Sequence, residues 1–466
     1  MKSRLTFVCT LFLLFATFCP VEAAVPKGTL VKLSHNSSNL YPGTTREFSV
    51  YVPQQYDGSS PACLLVCMDG PLFDAPAKLD TLISDGRMPV TIAIFINPGV
   101  VFDSCGNVVR YNRCREFDTL SSSWADFLES EILPKVQGMK LDDGRTVMIS
   151  QRADDHAIAG ASSGGICAFA AAWFRPDLFS RVYSAVGTFV SMRGGHQLPA
   201  IIRKTEPRRL RIFLQDGKND AWNPLFGSWW EYNQLMFSAL TFAGYDVDAS
   251  WDDGGHSIHY GTLAFNSAMQ FLWAGWPEPV AQPHTSNDML SSILDDAYPW
   301  QVVSAYSAEA DTLFVEPQLP EHISLDNFVV SGSHFAIAPD WRTIVQSMPH
   351  SNWLTQYVVD DGKLTLGEPF YCLHPDYGES PAEVASMLFD VLGNLYVATS
   401  SGIQVCDHNG RVRAILTPTG RSVSKIAFVG NTLYALSQGI IYSRKMAVTG
   451  YNLLDGPVSF NSQGQG

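Results

Sequence analysis

Gly160-Ala161-Ser162-Ser163-Gly164 fits the pattern GxSxG. On its own the pattern is weak, because small residues recur in any chain of this length. Its context strengthens it: the apolar stretch from His156 precedes it, and a run of small and aromatic residues, Ile166 to Phe174, follows. That is the strand, turn and helix of a nucleophile elbow, in which glycines let the backbone double back and the serine projects above a sheet. A serine hydroxyl attacks a carbonyl only when a base takes its proton. The chemistry to look for is therefore acyl transfer, with a histidine and a carboxylate further along the chain.

His256, in Gly254-Gly255-His256-Ser257, follows a strand ending at Trp251 and is the favoured base, with His259 as the alternative. His196, in Arg193-Gly194-Gly195-His196, precedes the candidate acid and reads instead as a cleft residue. The acid should follow the strand that starts at Arg211, where Gln215-Asp216-Gly217-Lys218-Asn219-Asp220 stands. Asp220, beyond the turn, is favoured to orient the imidazole. Asp216, at the strand end, is the alternative, with capping of the loop as its other role. An oxyanion hole needs two backbone N–H groups. Ser163 should give one. The loop after Met68 should give the other from Gly70 or Leu72, since Pro71 between them has no N–H. No CxxC pair and no His/Cys cluster has zinc spacing, so neither metal nor cofactor is expected.

These residues need a scaffold. Arg46 to Val52 alternates like an edge strand with one buried face. Cys63 to Met68 (CLLVCM) and Val90 to Ile96 (VTIAIFI) are continuous apolar runs, as in central strands covered on both sides. Ser123 to Val136 has a helical pattern that Pro134 should end. Arg211 to Leu214 and Val247 to Trp251 read as later strands. The alternation predicts a mostly parallel sheet with helices on both faces over residues 24–276, after a polar lead-in from Ala24 to Asn39. Residues 277–300, punctuated by Pro277, Pro279 and Pro283, read as a linker. From 301 to 466 the chain is strand-rich, and GNLYVATSSGI and GNTLYALSQGI, starting at Gly393 and Gly430, are self-similar. A spacing near 40 residues suggests propeller blades, at most about four in the length available.

The chain has 466 residues and a formal net charge of -14, from 31 Lys+Arg against 45 Asp+Glu. That balance argues against a nucleic-acid partner, which requires clustered basic residues. Residues 1–23 read as a secretory signal: Lys2 and Arg4, an apolar stretch from Leu5 to Phe18, and small residues Val21 and Ala23 before cleavage at Ala24. A secreted or periplasmic location follows, with no membrane-spanning segment once the signal is removed. Cys63 and Cys67 lie in an apolar run and should be buried. Cys105 and Cys114 flank a Gly/Asn-containing loop and are the best disulfide pairing.

Taken together, Asp155-His-Ala-Ile-Ala-Gly-Ala-Ser-Ser-Gly-Gly-Ile-Cys-Ala-Phe, Met192-Arg-Gly-Gly-His, Phe213-Leu-Gln-Asp-Gly-Lys-Asn-Asp and Gly254-Gly-His-Ser resemble the enterochelin-esterase and esterase D-like group of α/β-hydrolases. Feruloyl and acetyl xylan esterases belong to the same broad group. The resemblance covers about Gly43 to Trp276. It implies an α/β-hydrolase sheet with Ser162 as nucleophile, His256 as base and Asp220 as acid, and a small-molecule or polysaccharide-linked ester as substrate. Arg113, Arg115 and Arg193 are cleft candidates that suit an anionic or catecholate substrate, with surface ion pairing as their other reading. Trp222, with Trp229 and Trp230, is a candidate for stacking on rings, against packing as the default.

Residues from about Val302 to Tyr451 are similar to regucalcin/gluconolactonase-like propellers, through Ser386-Met-Leu-Phe-Asp-Val-Leu-Gly-Asn-Leu-Tyr-Val-Ala-Thr. The metal-ligand positions of those lactonases align with Ala385 and Lys425, which cannot hold a cation. The region therefore reads as a non-catalytic accessory module. The rival readings are a binding protein that keeps a hydrolase scaffold, and a lactonase.

Overall fold

The computed structural model describes residues 25–314, 333–375, 381–418 and 422–459. The expected signal, residues 1–23, lies outside them. Eight strands form the main sheet: β1 (Thr29–His35), β2 (Arg46–Val52), β3 (Cys63–Met68), β4 (Thr91–Ile96), β5 (His156–Ala161), β6 (Arg181–Ala185), β7 (Arg211–Gly217) and β8 (Asp246–Asp252). Their spatial order is β1-β2-β4-β3-β5-β6-β7-β8. Strands β3 to β8 run parallel, and β1 and β2 are antiparallel additions at one side. This is the α/β architecture that the alternation of elements predicts.

The pleat divides each apolar strand between two cores. Leu64, Val66 and Met68 of β3 enter one cluster, and Cys63, Leu65 and Cys67 enter the other. Both cysteines are buried, as expected from their apolar run. One face is covered by α1 (Ala75–Ser84) and α4 (Ile258–Trp273), and the other by α2 (Ser163–Phe174) and α3 (Trp229–Phe242). Every residue of α2 is buried. Its alanines and glycines let it lie close to the sheet.

The structure corrects four local expectations. The lead-in is not all loop: Thr29–His35 pairs with Arg46–Val52 and is the true edge, so Arg46–Val52 lies one strand inside. The segment from Ser123 to Val136 stays helical through Pro134, because a π-helical turn at Leu128–Ile132 precedes it and removes the need for a proline N–H. The linker contains a short helix, Asp288–Ile293, capped by the Asn287 side chain at 3.1 Å from Leu290 N. Cys105 and Cys114 are both free thiols. Cys105 occupies the tip of the hairpin Val100–Phe102/Val108–Tyr111, and Cys114 follows its base. The four residues of the returning strand separate them by roughly 10 Å, beyond disulfide reach.

Among the described residues beyond 300 the chain is strand-rich, as its repeats predict, and apart from short 3-10 turns it forms three antiparallel sheets of four strands. One comprises Phe335–Ile337, Thr343–Ser347, Trp353–Asp360 and Lys363–Cys372, and the next Ser386–Phe389, Leu395–Thr399, Gly402–Cys406 and Val412–Leu416. The last combines Lys425–Val429, Thr432–Ser437 and Ile440–Lys445 with Gln301–Ala305, which pairs with Ile440–Lys445 from far back in the chain. The two self-similar phrases form equivalent turns and hairpins in the last two sheets.

The two regions are packed together. A single apolar cluster runs from the α2 side of the main sheet to Val345, Leu354, Phe389 and Ile415. Glu206 N–H donates to the Ile415 carbonyl at 2.9 Å, and the Asn287 amide donates to the carbonyls of both Arg203 and Arg413 at 2.9 Å. Arg444 pairs with Glu206, whose other oxygen accepts from Trp300 Nε1 at 3.0 Å. Among the described residues no helix is long and apolar enough to cross a membrane.

Candidate active site

Ser162 sits between the end of β5 and the start of α2 with φ 58° and ψ -121°, a strained conformation for a residue with a side chain. The flanking glycines make it possible. A Cβ on Gly160 would overlap the carbonyl of Gly164, and one on Gly164 would lie 3.2 Å from Asp69 Oδ2. The Ser162 backbone is pinned by its N–H to the Ala185 carbonyl at 3.0 Å and by Thr188 N–H to its own carbonyl at 3.2 Å.

His256 precedes the N-cap of α4, Ser257, whose hydroxyl accepts from His259 N–H at 3.2 Å. The loop before it is fixed by Asp252, which accepts from Gly254 N–H at 2.6 Å and from the Gln215 amide at 2.9 Å. The loop after β7 zips onto it: Lys218 N–H donates to the Asp252 carbonyl and Asn219 N–H to the Gly254 carbonyl, both at 2.9 Å. These bonds bring the three residues into line. His256 Nε2 lies 2.9 Å from Ser162 Oγ, and His256 Nδ1 lies 2.7 Å from Asp220 Oδ1.

Asp220 is nearly buried. Burial opposes its charge, but the hydrogen bonds from His256, Asp216 and Ala221 N–H outweigh it and hold the carboxyl below its ordinary value. Asp216 is fully buried and does not reach His256. Burial, then the neighbouring Asp220, pushes its pKa well above the ordinary carboxylate range. His259 is exposed, with its ring edge-on to Tyr260.

Ser163 is the first residue of α2, where an N–H has no acceptor within the helix. The loop expected to give the second donor is sharply bent. Pro71, at φ -80° and ψ 62°, is the centre of an inverse γ-turn that commits Leu72 N–H to the Gly70 carbonyl at 2.8 Å. Gly70 N–H makes only a long contact, 3.4 Å, to the Ile96 carbonyl.

Of the arginines, Arg113 holds Asp69 in a two-pronged pair at 2.8 Å and lies 3.3 Å from the Ala161 carbonyl, so it braces the loop after β3 against the turn at Ser162. Burial works against its charge, and Asp69 more than restores it, raising the guanidinium pKa. Arg115 contacts the Thr119 hydroxyl on the surface. Arg193, at φ 44°, is exposed on the rim, where its charge acts on the buried Asp118 and on Cys114. His196 follows it at the start of a short helical turn. Trp222 is 71% exposed on the small hairpin Trp222–Asn223/Gly227–Ser228, just after Asp220.

One neighbour of the serine, Thr188, escapes sequence reasoning, and Trp229, read there only as a ring-stacking or packing residue, proves to stand beside the base. Thr188 Oγ1 lies 3.3 Å from Ser162 Oγ and accepts from Trp229 Nε1 at 3.2 Å. The Trp229 ring meets His256 edge-on at 5.7 Å. Thr188 is three residues beyond β6, and the ends of parallel strands are where such groups collect. A cavity of about 970 Å³ elsewhere, lined by Glu206, Arg209, His284, Trp300 and Arg444 among others, contains none of the aligned residues.

Residues 38–263 match the Esterase family, whose description reads "Putative esterase". That span includes Ser162, Asp220 and His256. No curated protein matches the chain. Solved structures similar to it include a ferulic acid esterase, at 19% identity and TM-score 0.41 over 53% of this chain and 98% of that one. The enterobactin esterase of Shigella flexneri is similar at 21% identity and TM-score 0.41, over 53% of this chain and 61% of that one. The ferric enterobactin esterase of Salmonella typhimurium is similar at 20% identity and TM-score 0.42, over 53% and 59%. The chain thus spans about three fifths of the length of the two enterobactin esterases.

Proposed function

We propose that the protein is a serine carboxylic-ester hydrolase acting through an acyl-enzyme on Ser162. The observation that carries this reading is the unbroken relay from Ser162 Oγ through His256 to Asp220, at 2.9 Å and 2.7 Å, on a strained strand-to-helix turn. The Esterase match over residues 38–263 supports it.

In this mechanism His256 Nε2 takes the Ser162 proton as Oγ attacks the ester carbonyl, and Asp220 stabilises the imidazolium that results. The oxyanion faces the N–H groups of Ser163 and Gly70, because the Leu72 N–H is already committed. His256 then gives its proton to the leaving alkoxide. Water, activated by the same imidazole, hydrolyses the acyl-enzyme and frees Ser162. The resemblance of the site phrases to enterochelin and feruloyl esterases makes an ester of a catechol-type or ferulic acid the first substrate to test. Residues 1–23 are read as a cleaved export signal, and the β-rich C-terminal region as a partial propeller serving as a non-catalytic accessory module.

Ser162→Ala in the full chain should abolish p-nitrophenyl acetate hydrolysis and fluorophosphonate labelling while leaving thermal unfolding unchanged. Undiminished turnover in that variant overturns the assignment.

A further inference from the structure

Asp216 and Asp220 stand four residues apart, yet their carboxyls meet. Asp216 is the penultimate residue of β7 and has no exposed surface, and its Oδ1 accepts Gly217 N–H at 2.8 Å. Asp220 Oδ1 accepts from both His256 Nδ1 and Ala221 N–H. Each residue keeps a second oxygen, Oδ2, that is buried and receives no N–H donor. The partner of each is the other carboxyl. Two ionised carboxylates in buried contact repel strongly, and one shared proton removes the conflict.

The surroundings decide which residue carries that proton. Asp220 has an imidazole and an amide donor to stabilise its charge. Asp216 has one amide, complete burial, and negative neighbours on two sides: Asp220 on its own loop and Asp252 at the end of the adjacent strand β8. The nearby Lys218 points outward to Asp253 at 3.2 Å.

We propose that Asp216 is a positioning residue which stays protonated and donates its Oδ2 proton to Asp220 Oδ2, fixing the Asp220 carboxylate so that Oδ1 faces His256. This rests on the Ser162-His256-Asp220 reading and deepens it. Asp216 touches neither substrate nor imidazole. It acts through Asp220, and its loss of the proton places two negative charges behind the base.

The test compares pH profiles of p-nitrophenyl acetate hydrolysis by the full-length wild type, Asp216→Asn and Asp216→Val. Asparagine keeps an N–H donor and cannot ionise; valine does neither. Wild-type kcat/KM should fall on the alkaline side, well above the ordinary carboxylate range, as the Asp216–Asp220 pair loses its shared proton. Asp216→Val should lose about tenfold or more in kcat with little change in KM, the pattern of a group that acts only in the transition state. Asp216→Asn should recover most of that loss and lack the alkaline fall. A separate readout needs no turnover: wild type should show an infrared carboxylic-acid band at neutral pH that Asp216→Asn lacks. An unchanged alkaline limb in Asp216→Asn, full kcat in Asp216→Val, or absence of the band overturns the proposal. If turnover is independent of Ser162 while the band is present, the catalytic reading fails and the carboxyl pair stands.

Discussion

Asp220 Oδ1 meets His256 Nδ1 at 2.7 Å although 36 residues separate them in the chain. The contact depends on two adjacent loops, after β7 and β8, that are bonded backbone to backbone from Lys218 to Gly254. Asp220→Asn replaces an acceptor with a group that can donate, and so favours the imidazole tautomer that cannot take the Ser162 proton. We expect kcat to fall roughly 10²- to 10⁴-fold with KM little changed. Steady-state kinetics beside a thermal unfolding curve checks this, because the loop bonds do not use the side chain that is changed.

Thr188 makes a second prediction. Its oxygen accepts the Trp229 indole N–H, which leaves its own hydroxyl proton available for Ser162 Oγ at 3.3 Å. That hydrogen bond strengthens as the serine oxygen gains negative charge. Thr188→Val keeps the shape and removes the donor, so kcat should fall about tenfold, within the range for one hydrogen bond to a charged group. Trp229→Phe keeps the ring beside His256 and loses only the N–H, so its effect should be smaller. If Trp229→Phe costs more than Thr188→Val, the indole rather than the hydroxyl is the important group.

The site was legible where local chemistry and chain order agree. Ser162 needs small neighbours between a strand and a helix, and Asp220 and His256 stand after the next strands in the required order. Other features depend on contacts between distant segments. Thr188 carries no pattern of its own, and Trp229 reads only as a stacking or packing ring; their roles emerge when β6 and α3 converge on the serine. The edge strand Thr29–His35 reads as polar lead-in because most of its residues stay exposed or half-exposed even when paired. Asp288–Ile293 has only six residues, too few to display a helical period. In the sequence the Leu72 N–H reads as available, because Pro71 shows there only as a missing donor. Its φ and ψ also close a turn that occupies its neighbour.

Arg46 and Glu116 form a fully buried two-pronged pair at 2.8 and 2.9 Å. Glu116 also accepts from Gly99 N–H at 3.0 Å and Asn112 Nδ2 at 3.2 Å, so it ties together the base of the hairpin before Arg113. The Arg46 guanidinium lies over the Phe127 ring at 4.3 Å. Glu116→Gln leaves the guanidinium buried without a counter-charge and should destabilise the fold by about 3–5 kcal/mol in urea denaturation. The paired change Arg46→Met with Glu116→Leu should recover much of that loss. A double variant as unstable as Glu116→Gln alone would show that the hairpin bonds, not the stranded charge, dominate.

The contact between the two regions should be sensitive to acid. Lys204, at the end of the helix Leu198–Lys204, lies 2.8 Å from Nε2 of His374 in the β-rich region. Burial, then the Lys204 charge, lowers the His374 pKa to about 4. The unfolded chain returns this imidazole to about 6.5. Between those values the unfolded state binds more protons than the folded one, so stability is complete above about pH 6.5 and is lost as pH falls toward 4. Melting temperature should therefore drop between pH 7 and pH 5. His374→Gln, whose side-chain carbonyl can still accept from Lys204 but cannot be protonated in this range, should flatten that part of the profile while leaving Ser162-dependent turnover at pH 7.5 in place. An identical pH slope in the variant would assign the acid sensitivity to other groups.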